Sequence, residues 1–180
     1  MRVIAGVARG HPLVAPRDRA TRPITDRVKE TLFAILGERV VDATVLDLYA
    51  GSGAVGIEAL SRGAAHATFV ETARAALATI RTNLERTRLA ADASVVAVDA
   101  RRFLEAPGAG PFDLVFLDPP YDERDIVAPL RDVVPRLTPA AIVVIKHFWR
   151  TEVPEIAGLE LRRQRRFGET MLTYLEAHDR

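Results

Sequence analysis

Leu46-Asp47-Leu48-Tyr49-Ala50-Gly51-Ser52-Gly53-Ala54-Val55-Gly56 is the stretch that decides the fold. An apolar run, Val45 to Tyr49, enters a glycine-rich turn, and a helical pattern from Ala54 to Arg62 leaves it. A G-x-G-x-x-G spacing in that setting brings backbone amides and a helix N-terminus to one point, where glycine tolerates dihedrals and approaches that a Cβ forbids. Tyr49, Ala50, Gly51, Ser52 and Gly53 are therefore candidates for contact with a nucleotide-like cofactor. Glu71 closes the next apolar run 20 residues after Gly51, where a carboxylate can hold ribose hydroxyls.

Working outward, Val45 to Tyr49, Ala67 to Glu71, Val95 to Asp99, Leu114 to Asp118 and Ala141 to Ile145 are short apolar runs, as expected of strands buried on both sides. Helical patterns alternate with them. Leu77, Ile80 and Leu84 form one stripe, and Val127, Leu130, Val134 and Leu137 another, with Pro129 and Pro135 expected near its ends or at a kink. Leu159 to Phe167 and Glu169 to Glu176 flank Gly168, which predicts two antiparallel strands completing the sheet. The expectation is an α/β fold with a mostly parallel, seven-stranded sheet and an antiparallel C-terminal edge. Before it, Thr25 can cap and Gly37 end a helix with an apolar stripe of Val28, Leu32 and Ile35 or Leu36, and residues 1–20 suggest a hairpin arm lacking the apolar content of core.

Composition bounds the chemistry. The chain has 180 residues, 48% of them hydrophobic, enough for one domain with a substantial core and no need of staples. It has no cysteine, so thiol catalysis and Cys-ligated zinc are excluded, and its 4 histidines are too scattered to suggest a metal site. No apolar run approaches the roughly 18 residues of a membrane span, and the first residues lack a long apolar signal region, so a cytoplasmic protein is expected. Net charge is +1, yet both ends are basic: Arg2, Arg9, Arg17, Arg19, Arg22, Arg27 and Lys29 lie in the first part, and Arg162, Arg163, Arg165 and Arg166 near the end. Such clusters suit phosphate contacts or a solvated face.

Three carboxylates separate the possible chemistries. Asp47, four residues before Gly51, can accept hydrogen bonds from the ammonium of S-adenosyl-L-methionine, a group that nicotinamide dinucleotides lack; it can equally cap a turn. Asp99 can accept from an adenine amino group, with Ala100 after it and Arg101 and Phe103 flanking the ring, or it can cap the following helix. Leu117-Asp118-Pro119-Pro120-Tyr121 follows the fourth strand at the ligand-binding edge. An exocyclic amine is a poor nucleophile because its lone pair is delocalised into the ring. Asp118 and the Pro119 carbonyl are acceptors that can orient its hydrogens, the prolines fix the carbonyl direction, and Tyr121 offers a stacking face.

With these residues in hand, the sequence resembles the RsmD-like bacterial methyltransferases that modify guanine N2 in small-subunit (16S) ribosomal RNA. The likeness spans Arg2-Val3-Ile4-Ala5-Gly6 with Arg9-Gly10, the Arg22-Pro23-Ile24-Thr25-Asp26-Arg27-Val28-Lys29-Glu30-Thr31-Leu32-Phe33 element, Leu46 to Glu58, Asp118 to Tyr121, and Arg166 to Thr170. It implies a Rossmann-like class I fold binding S-adenosyl-L-methionine at Asp47, Gly51, Gly53, Glu71 and Asp99. The target base would meet Asp118, Pro119, Pro120 and Tyr121. Arg22, Thr25, Asp26 and Arg27 would lie near the cofactor and RNA entrance, and Arg9, Arg17, Arg22, Arg163 and Arg165 would hold RNA. Residues 1–39 would form an RNA-binding extension and 40–180 the catalytic domain, acting as a monomer. Lys146-His147 departs from the family pattern, in which a glutamate is expected. The rival readings are a DNA adenine-N6 methyltransferase, which shares Asp-Pro-Pro-Tyr, a nicotinamide-dependent oxidoreductase, which leaves Asp47 and Asp118 without a role, and a non-enzymatic RNA-binding protein.

Overall fold

The structure is a computed structural model and describes residues 1–16, 24–119 and 126–178. Its centre is a seven-stranded sheet of order β3-β2-β1-β4-β5-β7-β6. The strands are β1 (Thr44–Leu48), β2 (His66–Glu71), β3 (Ala93–Ala97), β4 (Phe112–Leu117), β5 (Leu137–Phe148), β6 (Leu159–Phe167) and β7 (Thr170–Ala177). The first five run parallel, and β7 inserts antiparallel between β5 and the outer β6. The helices are α1 (Asp26–Leu36), α2 (Ala54–Ser61), α3 (Arg74–Thr87), α4 (Ala100–Glu105) and α5 (Val127–Val133). Among the described residues no helix is long and apolar enough to cross a membrane.

Alternation along the central strands explains why their sequences are apolar throughout. Val45, Leu114, Phe116 and Val144 face α1, α2 and α3, whereas Leu46, Leu48, Val115, Leu117, Val143 and Ile145 face α4 and α5. Each strand thus feeds two cores. The outer β3 is only half-buried, so its run from Val95 is less enclosed than the expectation of two covered faces, and it ends at Ala97 rather than Asp99. Asp99 instead caps α4. The helix expected over Val127 to Leu137 stops at Val133, and Val134–Arg136 tightens into a 3₁₀ turn around Pro135, which has no amide proton to continue an α-helix. Leu137 belongs to β5, whose length also takes in Lys146 and His147.

The N-terminal segment departs most from expectation. Its pairing is reduced to one isolated bridge, Arg2 to Pro12, and Val3, Ala8 and Leu13 are buried in the same core as α1 and the sheet. It is therefore core material and not a detached arm; residues 17–20 lie outside the described residues. It docks on the end of α2 through polar contacts. Gly6 adopts φ +83°, and a Cβ there would stand 1.7 Å from the Ser61 carbonyl oxygen. The Ser61 hydroxyl donates to the Ala5 carbonyl and accepts from the Ala8 amide. Beneath the segment, fully buried Lys29 and Glu58 pair at 3.1 Å. Lys29 Nζ also donates to the Arg2 carbonyl, and Glu58 accepts from the Ile4 and Ala5 amides and from Arg62. Burial lowers the Lys29 pKa, and Glu58 opposes that shift.

Candidate active site

Parallel register brings the ends of the strands to one edge. Leu48 pairs with Val70 on one side and Leu117 on the other, and Leu117 pairs with Ile145. Tyr49, Glu71, Asp118 and Lys146 consequently share that edge. The chain leaves β1 toward β2 and β3 and returns to β4, so the β1/β4 gap is where helices switch faces and a crevice opens. A pocket lies there, walled by Asp47, Tyr49, Ala50, Gly51, Ser52, Asp118 and Lys146, with Ile24, Leu32, Phe116, Val144 and Leu172 as its apolar side.

The glycine turn is built as its sequence requires. Tyr49, Gly51 and Gly53 all adopt positive φ, an unusual state for tyrosine that the surrounding turn must enforce. Gly53 precedes α2, whose first turn is open at its N-terminus. Gly56 serves packing: a Cβ there would stand 2.4 Å from the Phe69 ring. That close approach lets the Gly56 amide donate to Asp47 Oδ2 at 3.0 Å. Glu71 ties the turn to β2, accepting from the Gly51 amide through Oε2 and from Thr72 and Ala73 through Oε1. Asp99 uses Oδ1 to accept from the Arg101 and Arg102 amides.

Asp47 is 3% exposed, and among the described residues its hydrogen-bond partner is the Gly56 amide. Burial pushes its carboxyl up to about 8; the Gly56 bond opposes this, and Asp118 and Glu71 add to it. Asp118 lies opposite, its side chain 40% exposed toward the pocket. Partial burial raises its pKa, and Lys146 works against that. Lys146 Nζ lies 2.6 Å from each carboxylate oxygen of Asp118. His147 points the other way, between the Phe148 carbonyl and the Thr173 hydroxyl.

The remaining candidates are distributed around this centre. Glu71, Asp99 and buried Ala100 lie along the same edge toward β2 and β3, outside the pocket wall. Thr25 caps α1, its hydroxyl accepting from Val28, and Arg27 is exposed one turn from Ile24; neither lines the pocket. Pro119 follows Asp118 directly, whereas Pro120, Tyr121, Arg17 and Arg22 lie outside the described residues. Arg9 is exposed on the docked N-terminal segment. Arg163 and Arg165 line an open groove with Glu30, Thr31 and Ile35 of α1. Arg162 and Arg166 are engaged internally, Arg162 by Glu160 and Glu176, Arg166 by the Gly168 carbonyl and the Trp149 ring.

Two residues beyond the sequence candidates matter. Lys146 registered in the sequence only as a departure from a pattern. Asn83 is fully buried on α3; its Oδ1 accepts from the Val14 amide at 2.8 Å, and its Nδ2 donates to the Val14 and Ser52 carbonyls, both at 3.0 Å. It joins the N-terminal segment to the glycine turn. The available signal was a polar residue three positions after Ile80 on an apolar stripe.

Comparison with known proteins agrees with this architecture. A family model described as conserved hypothetical protein 95 matches residues 1–176. The chain is 40% identical over 175 residues to the putative rRNA methyltransferase YlbH of Bacillus subtilis, covering 94% of this chain and 95% of that protein. It is 48% identical over 121 residues to ribosomal RNA small subunit methyltransferase D of Escherichia coli, a stretch of 67% of this chain and 60% of that protein. The solved structure of the putative methyltransferase yhhF from Escherichia coli matches with a TM-score of 0.87 at 36% identity, covering 100% of this chain and 99% of that one. Nearly its full length matches one family description and one relative of similar length, so the chain belongs to the conserved hypothetical protein 95 family, the RsmD-like ribosomal RNA methyltransferases.

Proposed function

We propose that this chain transfers a methyl group from S-adenosyl-L-methionine to the exocyclic N2 of a guanine in small-subunit ribosomal RNA, within an assembled or assembling subunit. The observation that carries this reading is one pocket in which Asp47, beside a glycine turn, faces Asp118 across the β1/β4 gap. The residues present suit the cofactor. A buried carboxyl held near 8 gains from an ammonium beside it, which favours its charged form. Glu71 keeps part of its acceptor capacity for ribose hydroxyls, since a carboxylate offers about four lone-pair sites. Asp99 engages one oxygen with α4, leaving the other for an adenine amino group. When bound, the cofactor supplies an electrophilic methyl group on a sulfonium.

Asp118 and the Pro119 carbonyl accept from the two hydrogens of the target amine and turn its lone pair toward the methyl carbon. Holding the reactants in line supplies much of the acceleration, because two-body encounter becomes a one-body step. As the nitrogen takes the methyl group it loses a proton, and the Asp118 carboxylate is placed to receive or relay it. Tyr121 supplies the stacking face for a base taken out of its helix. Thr25 and Arg27 at the start of α1 border the entrance, and Arg9, Arg17, Arg22, Arg163 and Arg165 contact phosphates.

The test is incubation with labelled S-adenosyl-L-methionine and naked ribosomal RNA, small subunits lacking the modification, or DNA, followed by nucleoside analysis. N2-methylguanosine from RNA or subunits is the expected product. Label in N6-methyladenine of DNA, or no transfer to any of the three, overturns the reading.

A further inference from the structure

We propose that Lys146 is a positioning residue of this site, holding Asp118 as a charged hydrogen-bond acceptor aimed into the pocket. The inference rests on the assignment of Asp118 as acceptor for the target amine. The geometry begins in the sheet. Leu117 of β4 and Ile145 of β5 are register partners whose side chains face α4 and α5. The residues that follow them, Asp118 and Lys146, therefore turn to the opposite face, where Leu32, Val144 and Leu172 line the same pocket. Lys146 is 11% exposed on its side chain, and its Nζ lies 2.6 Å from both Asp118 oxygens.

Such a symmetric grip fixes the carboxylate plane, because rotating either oxygen away from Nζ loses a charge-assisted bond. It does not exhaust the carboxylate. Each oxygen carries a second lone-pair site, so the pair can hold the ammonium and still accept from an amine N–H. The pairing also answers an electrostatic difficulty. Asp47 on β1 is the other titratable group facing Asp118, and α1 and β7 contribute uncharged Leu32 and Leu172. A carboxyl group beside a second carboxyl and partly out of water tends to keep its proton, and a protonated Asp118 offers a hydroxyl where the amine needs an acceptor. Lys146 opposes that tendency at contact distance.

The experiment compares wild type, Lys146→Met and Lys146→Arg in full-length protein, each checked by thermal melting. First, the side-chain carboxyl carbon of Asp118 is titrated by NMR without cofactor or RNA. An opposite charge at this range moves a carboxyl by about 1 to 3 pH units. The Asp118 midpoint is therefore expected to rise by at least about one unit in Lys146→Met and to stay near wild type in Lys146→Arg. Second, kcat for methyl transfer is followed against pH. The acid limb in Lys146→Met is expected to move upward by the same amount, with kcat at pH 7 down roughly tenfold or more and KM for the cofactor within about twofold. A folded Lys146→Met protein with an unmoved Asp118 titration and an unmoved acid limb overturns the inference. Wild type that transfers no methyl group overturns the proposed function instead, and the NMR arm still decides the role of Lys146. If Lys146→Met does not fold, Lys146→Arg decides: a loss of kcat with its longer, planar head and a displaced Asp118 titration count against a simple ammonium grip.

Discussion

At the scale of the residue, Asp47 makes the sharpest trade. Its carboxyl is held near 8 by burial, far above the range of an unfolded chain, so the folded protein binds more protons than the unfolded one between about pH 4 and pH 8. Stability from this group is therefore present at low pH and is lost as pH rises through about 8. Asp47→Asn keeps an oxygen for the Gly56 amide and removes the ionisation. It is expected to raise the melting temperature at pH 8 by several degrees, with the gain vanishing near pH 4, while weakening S-adenosyl-L-methionine binding at least tenfold, since a charge-assisted bond contributes about 1.5 to 3 kcal/mol. Calorimetry in two buffers at pH 6.5 is expected to show release of about one proton as wild type binds cofactor, because an ammonium favours the charged carboxylate. No proton release would remove the ammonium contact. At Asp118 the expectation differs: Asp118→Ala should abolish or strongly reduce methyl transfer while cofactor affinity measured by calorimetry stays nearly unchanged, and a fully active variant would end its catalytic assignment.

At the scale of the element, the N-terminal segment and α2 act as one unit around a buried ion pair. Glu58 holds Lys29, Arg62 and two backbone amides, so Glu58→Ala strands a buried ammonium and those amides together. Breaking such a pair from one side costs about 3 to 5 kcal/mol, which equilibrium denaturation will register as a large fall in midpoint. The family-specific Thr-Asp-Arg-Val-Lys-Glu-Thr element therefore contributes to docking through Lys29 as well as lying near the entrance through Thr25 and Arg27. Asn83 links the same segment to the glycine turn. Asn83→Ala removes its bonds to Val14 and Ser52, and weaker cofactor binding is expected together with faster hydrogen exchange at the Val14 amide. Unchanged exchange at Val14 would show that the segment holds without it.

At the scale of the molecule, the charges arrange themselves more selectively than their number suggests. Arg162 and Arg166 are engaged with protein groups, leaving Arg163 and Arg165 to present the groove beside α1. Arg163→Glu with Arg165→Glu is expected to weaken RNA binding and flatten the slope of log K against log salt by about 1 to 2 units, since each phosphate contact on a single strand contributes roughly −0.7. Arg9→Glu with Arg17→Glu tests the N-terminal side in the same assay. Unchanged affinity and slope in both variants would remove both surfaces from RNA binding.

The sequence by itself determined the order of strands and helices, the glycine turn and the positions of Asp47 and Asp118 at strand ends. Those features are local: a buried strand must be apolar, a tight turn must admit positive φ at Gly51 and Gly53, and a cap must offer Thr25 an amide to accept from. Tertiary structure alone decided the pairing of Lys146 with Asp118, 28 residues apart, and of Asn83 with Val14, 69 residues apart. It also decided that Val3, Ala8 and Leu13 join the core, which their basic surroundings concealed. Contacts of this kind follow from which strand lies beside which and which segment crosses over them, and side-chain chemistry along the chain does not encode a neighbour until the sheet order brings one within reach.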